Sequence, residues 1–204
     1  RKILGPKEIN RTAVKGNTIS LCMIVKNEEE VIKKAISSVL PFADEVIVVD
    51  TGSDDGTVEI ANRLGAKIGY FEWCDDFSAA RNASLDMATG DWIMWLDADD
   101  YVPSTEWRKL QDLKLLPADQ AFMFKLKSIG FEHDICWQLR MFPRHPNIRF
   151  SYPVHEQVSP SIIKLDIPIK KAPVTVIHTG YNSPETVKAK REKYLDLLEK
   201  AVSR

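Results

Sequence analysis

Long apolar runs are missing from this chain. Nowhere among its 204 residues is there a stretch hydrophobic enough, for long enough, to cross a bilayer. The opening residues also lack the basic, apolar and small-residue pattern of a secretory leader. Cysteine is scarce. Cys22, Cys74 and Cys136 are odd in number, far apart and without zinc-type spacing, which argues against a disulfide framework or a cysteine metal cage. They read as ordinary core or surface thiols. Charge of one sign is lacking too, since 28 Lys and Arg oppose 29 Asp and Glu for a net charge of −1. That balance removes any whole-chain attraction to nucleic acid or acidic membranes, while leaving room for a local basic site. These absences leave a protein of a reducing compartment, cytoplasmic and at most peripheral to a membrane, with no nucleic-acid partner.

What is present is a hydrophobic content of 44%, ordinary for a chain with a real core, and a length suited to one domain with a small appendage. Residues 1–18 are polar and basic, without a clear period, and read as an N-terminal arm. Residues 19–182 read as the folded domain. Ile19–Val25 is an unbroken strand-like run. Asn27 stands where it would cap a helix that buries Val31, Ile32, Ala35, Ile36 and Val39 and stops at Pro41. A second buried strand, Glu45–Asp50, is followed by the turn Thr51–Thr57, a helix closed by Gly65 and a shorter strand over Ala66–Phe71. Successive strand–helix units predict a parallel α/β sheet. A loop at Trp73–Ser78 then leads to a helix from Ala79, ended at Gly90. Beyond it come the strand Asp91–Asp97, a helix over 104–116, strands at Ala121–Leu126 and Gln138–Phe142, and a proline-rich last third with a short strand Val174–His178. From Ser183 an amphipathic helix runs to Arg204 (residues 183–204). Its apolar positions Val187, Tyr194, Leu195, Leu197 and Leu198 need a partner surface, which suggests self-association or the start of a truncated helical extension.

The chain is organised around Asp91–Asp100, a buried apolar run with two tryptophans that ends in crowded carboxylates. Such acids are costly together unless something positive sits among them. A hard divalent cation bridging a diphosphate would satisfy them, and so would a solvated acidic turn. In an open α/β sheet, ligands bind at the carboxyl ends of strands. Four groups fall at such ends: Lys26-Asn27-Glu28, Asp50 with its turn, the Asp97 cluster, and His178. Asp50 and the Ser53-Asp54 turn could accept from a base or ribose, or be an ordinary helix-capping turn. Asp97 and Asp99 share a face if the segment is extended. If the strand stops at Asp97, Asp99 is the better metal ligand and Asp97 the ribose contact. Arg81 could meet a phosphate bidentately, or form a surface ion pair. Glu156 could serve as a general base and His178 could complete a metal shell; both could equally be structural.

These stretches together resemble the family 2 glycosyltransferases with the GT-A fold, particularly the bacterial branch met ahead of tetratricopeptide repeats and in peptide-glycosylating enzymes. The likeness rests on Ile19–Glu30 (ISLCMIVKNEEE), Asp44–Thr57 (DEVIVVDTGSDDGT), Trp73–Asn82 (WCDDFSAARN), Thr89–Asp100 (TGDWIMWLDADD), Val154-His155-Glu156 and His178-Thr179-Gly180-Tyr181, in the family's order. It implies a three-layer α/β/α sandwich with a mostly parallel, Rossmann-like sheet. It also implies inverting transfer of a sugar from a nucleotide-diphosphate donor, most often a UDP-sugar, within glycan or cell-wall biosynthesis. Acceptors of this family include glycans, peptides and lipid carriers. Mn²⁺ or Mg²⁺ would be held by the Asp97-Ala98-Asp99 motif with His178, while Lys26, Asn27, Glu28, Asp50, Ser53, Asp54 and Arg81 would line the nucleotide. Relatives often continue into helical repeats, so the expectation is an excised chain.

Two departures stand out. Many relatives have two adjacent acids where this chain has Asp50-Thr51, so the base contact falls to Asp50 and the turn. The family's base lies in a Glu-Asp pair, whereas this loop reads His155-Glu156; Glu156 is the expected base and Asp100 its substitute. Competing readings are a non-catalytic sugar-nucleotide binding module and, on Leu96-Asp97-Ala98-Asp99, an aspartyl-phosphate phosphohydrolase. The late position of that motif and the Asp100-Tyr101 that follows it tell against the phosphohydrolase.

Overall fold

The computed structural model describes residues 16–129 and 135–180. The expected helix at 183–204 lies outside the described residues, as does most of the expected N-terminal arm. In chain order the elements are β1 (Ile19–Val25), α1 (Ile32–Val39), β2 (Glu45–Asp50), α2 (Thr57–Arg63), β3 (Lys67–Tyr70), α3 (Phe77–Met87), β4 (Trp92–Trp95), β5 (Asp100–Tyr101), α4 (Trp107–Lys114), β6 (Ala121–Ser128), β7 (Ile135–Pro143), α5 (Ser159–Lys164) and β8 (Ile169–His178). The strands build one mixed eight-stranded sheet in the order β3-β2-β1-β4-β7-β6-β8-β5. β3, β2, β1 and β4 run parallel. β7 is antiparallel to β4 and β6, β6 and β8 are parallel, and β5 is antiparallel to β8.

Side-chain alternation along β1 divides the interior into two cores. Ile19, Leu21, Met23 and Val25 meet the buried stripe of α1 (Ile32, Ala35, Ile36, Val39), Ala61 of α2 and Leu110 of α4. Cys22 points the other way, with Leu85 of α3, Phe142 of β7 and Ile162 of α5. Helices on both faces of a sheet make three layers. Burying each of the valine, leucine, isoleucine, methionine and phenylalanine side chains among them contributes roughly 1.5–3 kcal/mol. Gly90 joins α3 to β4 where a Cβ would lie 2.8 Å from the Ser20 amide nitrogen, so only glycine lets the turn approach β1 this closely.

Several boundaries differ from the sequence reading. Asn27 does not cap α1; the helix starts at Ile32, and Asn27 sits in the turn before it at φ 55°. α3 begins at Phe77, within the expected loop, because the Asp76 side chain accepts from the Ala79 amide at 3.0 Å. β4 ends at Trp95 rather than Asp97. β8 is twice the expected length and accommodates Pro173 in a bulge, where Ala172, Pro173 and Val174 stand opposite Phe124 alone. β5 and α5 are additional elements, each too short to leave a periodic signal.

Candidate active site

The turns after β1 and β2 are laced together at the carboxyl edge of the sheet. The Asn27 amide donates to Ser53 Oγ at 2.9 Å, and the Asp54 amide donates to Asn27 Oδ1 at 2.9 Å. The Glu28 amide donates to Thr57 Oγ1 at 2.7 Å. Asp50 is buried, and its carboxylate accepts from the Gly52 and Ser53 amides and from Ser53 Oγ. Lys26 and Asp54 are exposed at the rim. These bonds bring Asn27, Glu28, Ser53 and Asp54 of the two loops together, with Asp50 as the staple of its own turn.

Next along the edge lies a buried charge network. Arg81, 5% exposed, projects from the first turns of α3. Its Nη2 donates to Asp97 Oδ1 at 2.6 Å and its Nε to Glu156 Oε1 at 2.6 Å. Its Nη1 is buried with no hydrogen-bond partner among the described residues. The guanidinium lies 4.2 Å from the Trp95 ring centroid. Burial works against the charged form of Arg81, but Asp97 and Glu156 outweigh it and hold the pKa above its ordinary value. Burial likewise pushes Asp97 up, and Arg81 and Arg140 more than reverse it, keeping that carboxyl well below the usual range. Glu156 comes from a loop closed by reciprocal Ser151 and Gln157 backbone bonds at 2.9 and 3.0 Å. Tyr152 and His155 within it have φ of 76° and 58°, so the loop holds left-handed backbone at two non-glycine positions next to the charged site.

Asp97 and Asp99 do not share a face. The segment after β4 folds into a tight turn in which the Asp100 amide donates to the Asp97 carbonyl at 3.1 Å. Asp97 turns toward the two arginines, while Asp99 turns toward β8. There, ligand atoms of Asp99, Asp100 and His178 lie within 4.8 Å of one another. His178 Nδ1 is 2.9 Å from Asp100 Oδ1 and 3.4 Å from Asp99 Oδ1. Burial lowers the His178 pKa, but the hydrogen bond to Asp100 and the charges of Asp99, Asp100 and Asp97 raise it overall. Asp97 stands outside this group, and buried Ala98 fills the turn between the two acids. Asp100, the expected substitute base, is 1% exposed and ion-paired to Arg140 at 3.0 Å.

Arg140 and Trp95 are site residues that sequence reasoning missed. The available signal was an arginine inside the otherwise apolar run Leu139–Phe142, where a charge must have a buried partner. Trp95 is oriented by its Nε1 donating to the Leu139 carbonyl at 2.8 Å and by edge contact with Phe150.

Comparison with known proteins now adds to this geometry. Residues 20–167 match the profile of glycosyl transferase family 2. A TPR repeat-containing protein of Synechococcus elongatus is 41% identical over 148 residues, covering 72% of this chain and 37% of its own length. The SPbeta prophage-derived glycosyltransferase SunS of Bacillus subtilis is 31% identical over 191 residues, covering 89% of this chain and 44% of its own. The chain thus spans less than half the length of these curated relatives. Among solved structures, glucosyl-3-phosphoglycerate synthase of Mycobacterium tuberculosis, in complex with Mn²⁺, UDP and glucosyl-3-phosphoglycerate, superposes with a TM-score of 0.62 at 19% identity. That match covers 90% of this chain and 79% of the other. At such low identity it speaks for the fold, the three-layer GT-A arrangement.

Proposed function

The chain belongs to glycosyl transferase family 2, and from that membership we propose that it transfers a sugar from a nucleoside diphosphate donor, a UDP-sugar, to an acceptor nucleophile with inversion at the anomeric carbon. The observation that carries the proposal is the grouping of Asp99, Asp100 and His178 within 4.8 Å, near an Arg81 whose buried Nη1 has no hydrogen-bond partner among the described residues. Two carboxylate oxygens and an imidazole nitrogen form a donor set suited to Mn²⁺ or Mg²⁺, and an ion bound there would offset charge on the donor's diphosphate.

The chain's own residues supply the rest. Asp50 and the laced Asn27–Ser53–Asp54 edge present acceptors and donors to a base and ribose, with Lys26 and Glu28 at its rim. Arg81 offers its unpartnered Nη1 to a phosphate oxygen, in a buried setting where such a contact is strong. Glu156 is the group we assign as base. It takes the proton from the acceptor as the acceptor's heteroatom bonds to the anomeric carbon and the bond to the diphosphate breaks on the opposite face. Asp100 suits that task less well, because its carboxylate is buried against Arg140 and His178. The glycosyltransferase name of the Bacillus relative and the UDP and Mn²⁺ held by the mycobacterial synthase support the same reading.

Thermal unfolding with UDP, with Mn²⁺ and with both tests it. The expected result is a shift with both ligands larger than the sum of the separate shifts, together with slow hydrolysis of a matching UDP-sugar. No UDP-dependent shift under any metal condition would overturn it.

A further inference from the structure

Arg140 belongs to β7, far in sequence from the acidic turn, yet its guanidinium reaches that turn. Its Nη2 lies 3.0 Å from Asp100 Oδ2 and 3.5 Å from Asp97 Oδ2. Its Nη1 donates to the Trp95 carbonyl at 3.4 Å, and its guanidinium lies 3.8 Å from the Trp95 ring centroid. The residue is 1% exposed, and its Nε is buried without a hydrogen-bond partner among the described residues. A buried guanidinium is oriented by what its donors hold.

What they hold is one tight turn. Asp100 Oδ2 accepts from the Asp97 amide at 3.1 Å while it pairs with Arg140, so the cation, the carboxylate and the turn's first amide form a closed chain. From the opposite side the Thr179 amide and hydroxyl both donate to the Asp99 carbonyl at 2.8 Å. The turn is gripped at both ends, with Asp99 directed at His178. We propose that Arg140 is the positioning residue of this turn: stacked on Trp95, it fixes Asp97 and Asp100 so that Asp99 and His178 converge on a divalent cation. Only a planar, multidentate cation satisfies this geometry; a lysine ammonium keeps the charge but cannot stack and bridge at once. The inference rests on the metal-assisted reading above for its ligand, but not for the turn itself.

The test uses Arg140→Lys and Arg140→Gln in the full chain. Mn²⁺ affinity, read by the electron paramagnetic resonance of free ion without any nucleotide, is expected to fall at least ~10-fold in both, the scale typical of residues that orient metal ligands. In metal-free protein, amide exchange at Asp100 is expected to speed up at least ~10-fold, with exchange in β1 and β2 unchanged. Wild-type Mn²⁺ affinity in a folded Arg140→Lys protein would overturn the proposal. So would failure of both variants to fold, because Arg140 would then serve the core and not the turn. If wild-type protein binds no Mn²⁺, the metal reading fails, and unaltered Asp100 exchange in the variants is then the result that overturns the positioning role.

Discussion

Asp100 and His178 are cross-strand partners in the two-residue pairing of β5 with β8, and the imidazole Nδ1 lies 2.9 Å from the carboxylate Oδ1. Cross-strand register is the cheapest way to bring residues 78 positions apart into contact, because the backbone bonds that form the sheet also fix the side chains. Asp99 joins the pair through its carbonyl, which Thr179 holds from the end of β8. The geometry of the site is therefore set by the register of the sheet edge beneath it.

Removing either outer member should abolish the metal response without unfolding the protein. The Asp99 and His178 side chains keep 13% and 12% exposure, so water can fill the polar space that Asp99→Ala and His178→Ala leave. In wild-type protein, Mn²⁺ at a hundred times its Kd would stabilise the fold by about 2.7 kcal/mol. Both variants are expected to lose most of that increment in thermal unfolding with and without Mn²⁺, while their metal-free midpoints stay within a few degrees of wild type.

Arg81 serves two carboxylates at once, and its substitutions should separate charge from geometry. Arg81→Met leaves Asp97 without one cation and Glu156 without its 2.6 Å partner, a change expected to destabilise the fold by about 3–5 kcal/mol in urea unfolding. Arg81→Lys retains a charge but cannot reach both acids and a phosphate. It should fold with a smaller loss and bind UDP at least ~10-fold more weakly by calorimetry.

How much of this was legible in the sequence follows from which signals are local. β1, β2, α1 and the glycine-bounded turns announce themselves because their apolar spacing and stop residues lie within a dozen positions. Asp50, Asp99 and His178 could be named as candidates because strand ends gather ligands, whereas Arg81 on its helix and Glu156 in its loop are legible only by their chemistry. What stayed hidden depends on tertiary register. Nothing near Asp97 says that β4 stops at Trp95, because the turn is closed by Arg140 from β7 and Thr179 after β8. The separate destinations of Asp97 and Asp99 are invisible for the same reason. Asn27 has the right chemistry for a helix cap, but its side chain is drawn to the Asp54 amide on the neighbouring loop.

Glu156→Gln isolates the proton-transfer step. The amide is isosteric and keeps an oxygen facing Arg81 Nε, so UDP and Mn²⁺ binding should match wild type in calorimetry. Loss of the basic carboxylate is expected to lower kcat by about 10²–10⁴-fold. A raised acceptor KM with kcat unchanged would place Glu156 in acceptor binding.

Glu45 provides a pH test remote from the chemistry. At the start of β2, its carboxylate accepts from Ser20 Oγ, from the Thr89 amide and hydroxyl, and from Lys67 Nζ at 2.5 Å, tying β1, β2, β3 and the Thr89-Gly90 turn together. Partial burial opposes its ionised form, but Lys67 and these donors prevail and bring the pKa down to about 2. A carboxyl depressed on folding contributes stability that is fully present above its unfolded value, near pH 4.3–4.5, and is lost as pH falls through the folded one. Glu45→Gln keeps one acceptor oxygen but no charge, so near neutral pH it should cost about 1–2 kcal/mol in urea unfolding. Between pH 4.5 and 2 the wild-type and variant stabilities should converge, because protonation does to Glu45 what the substitution has already done. A gap that stays constant across that window would mean that hydrogen bonding to a neutral side chain, and not the carboxylate charge, holds this corner of the sheet.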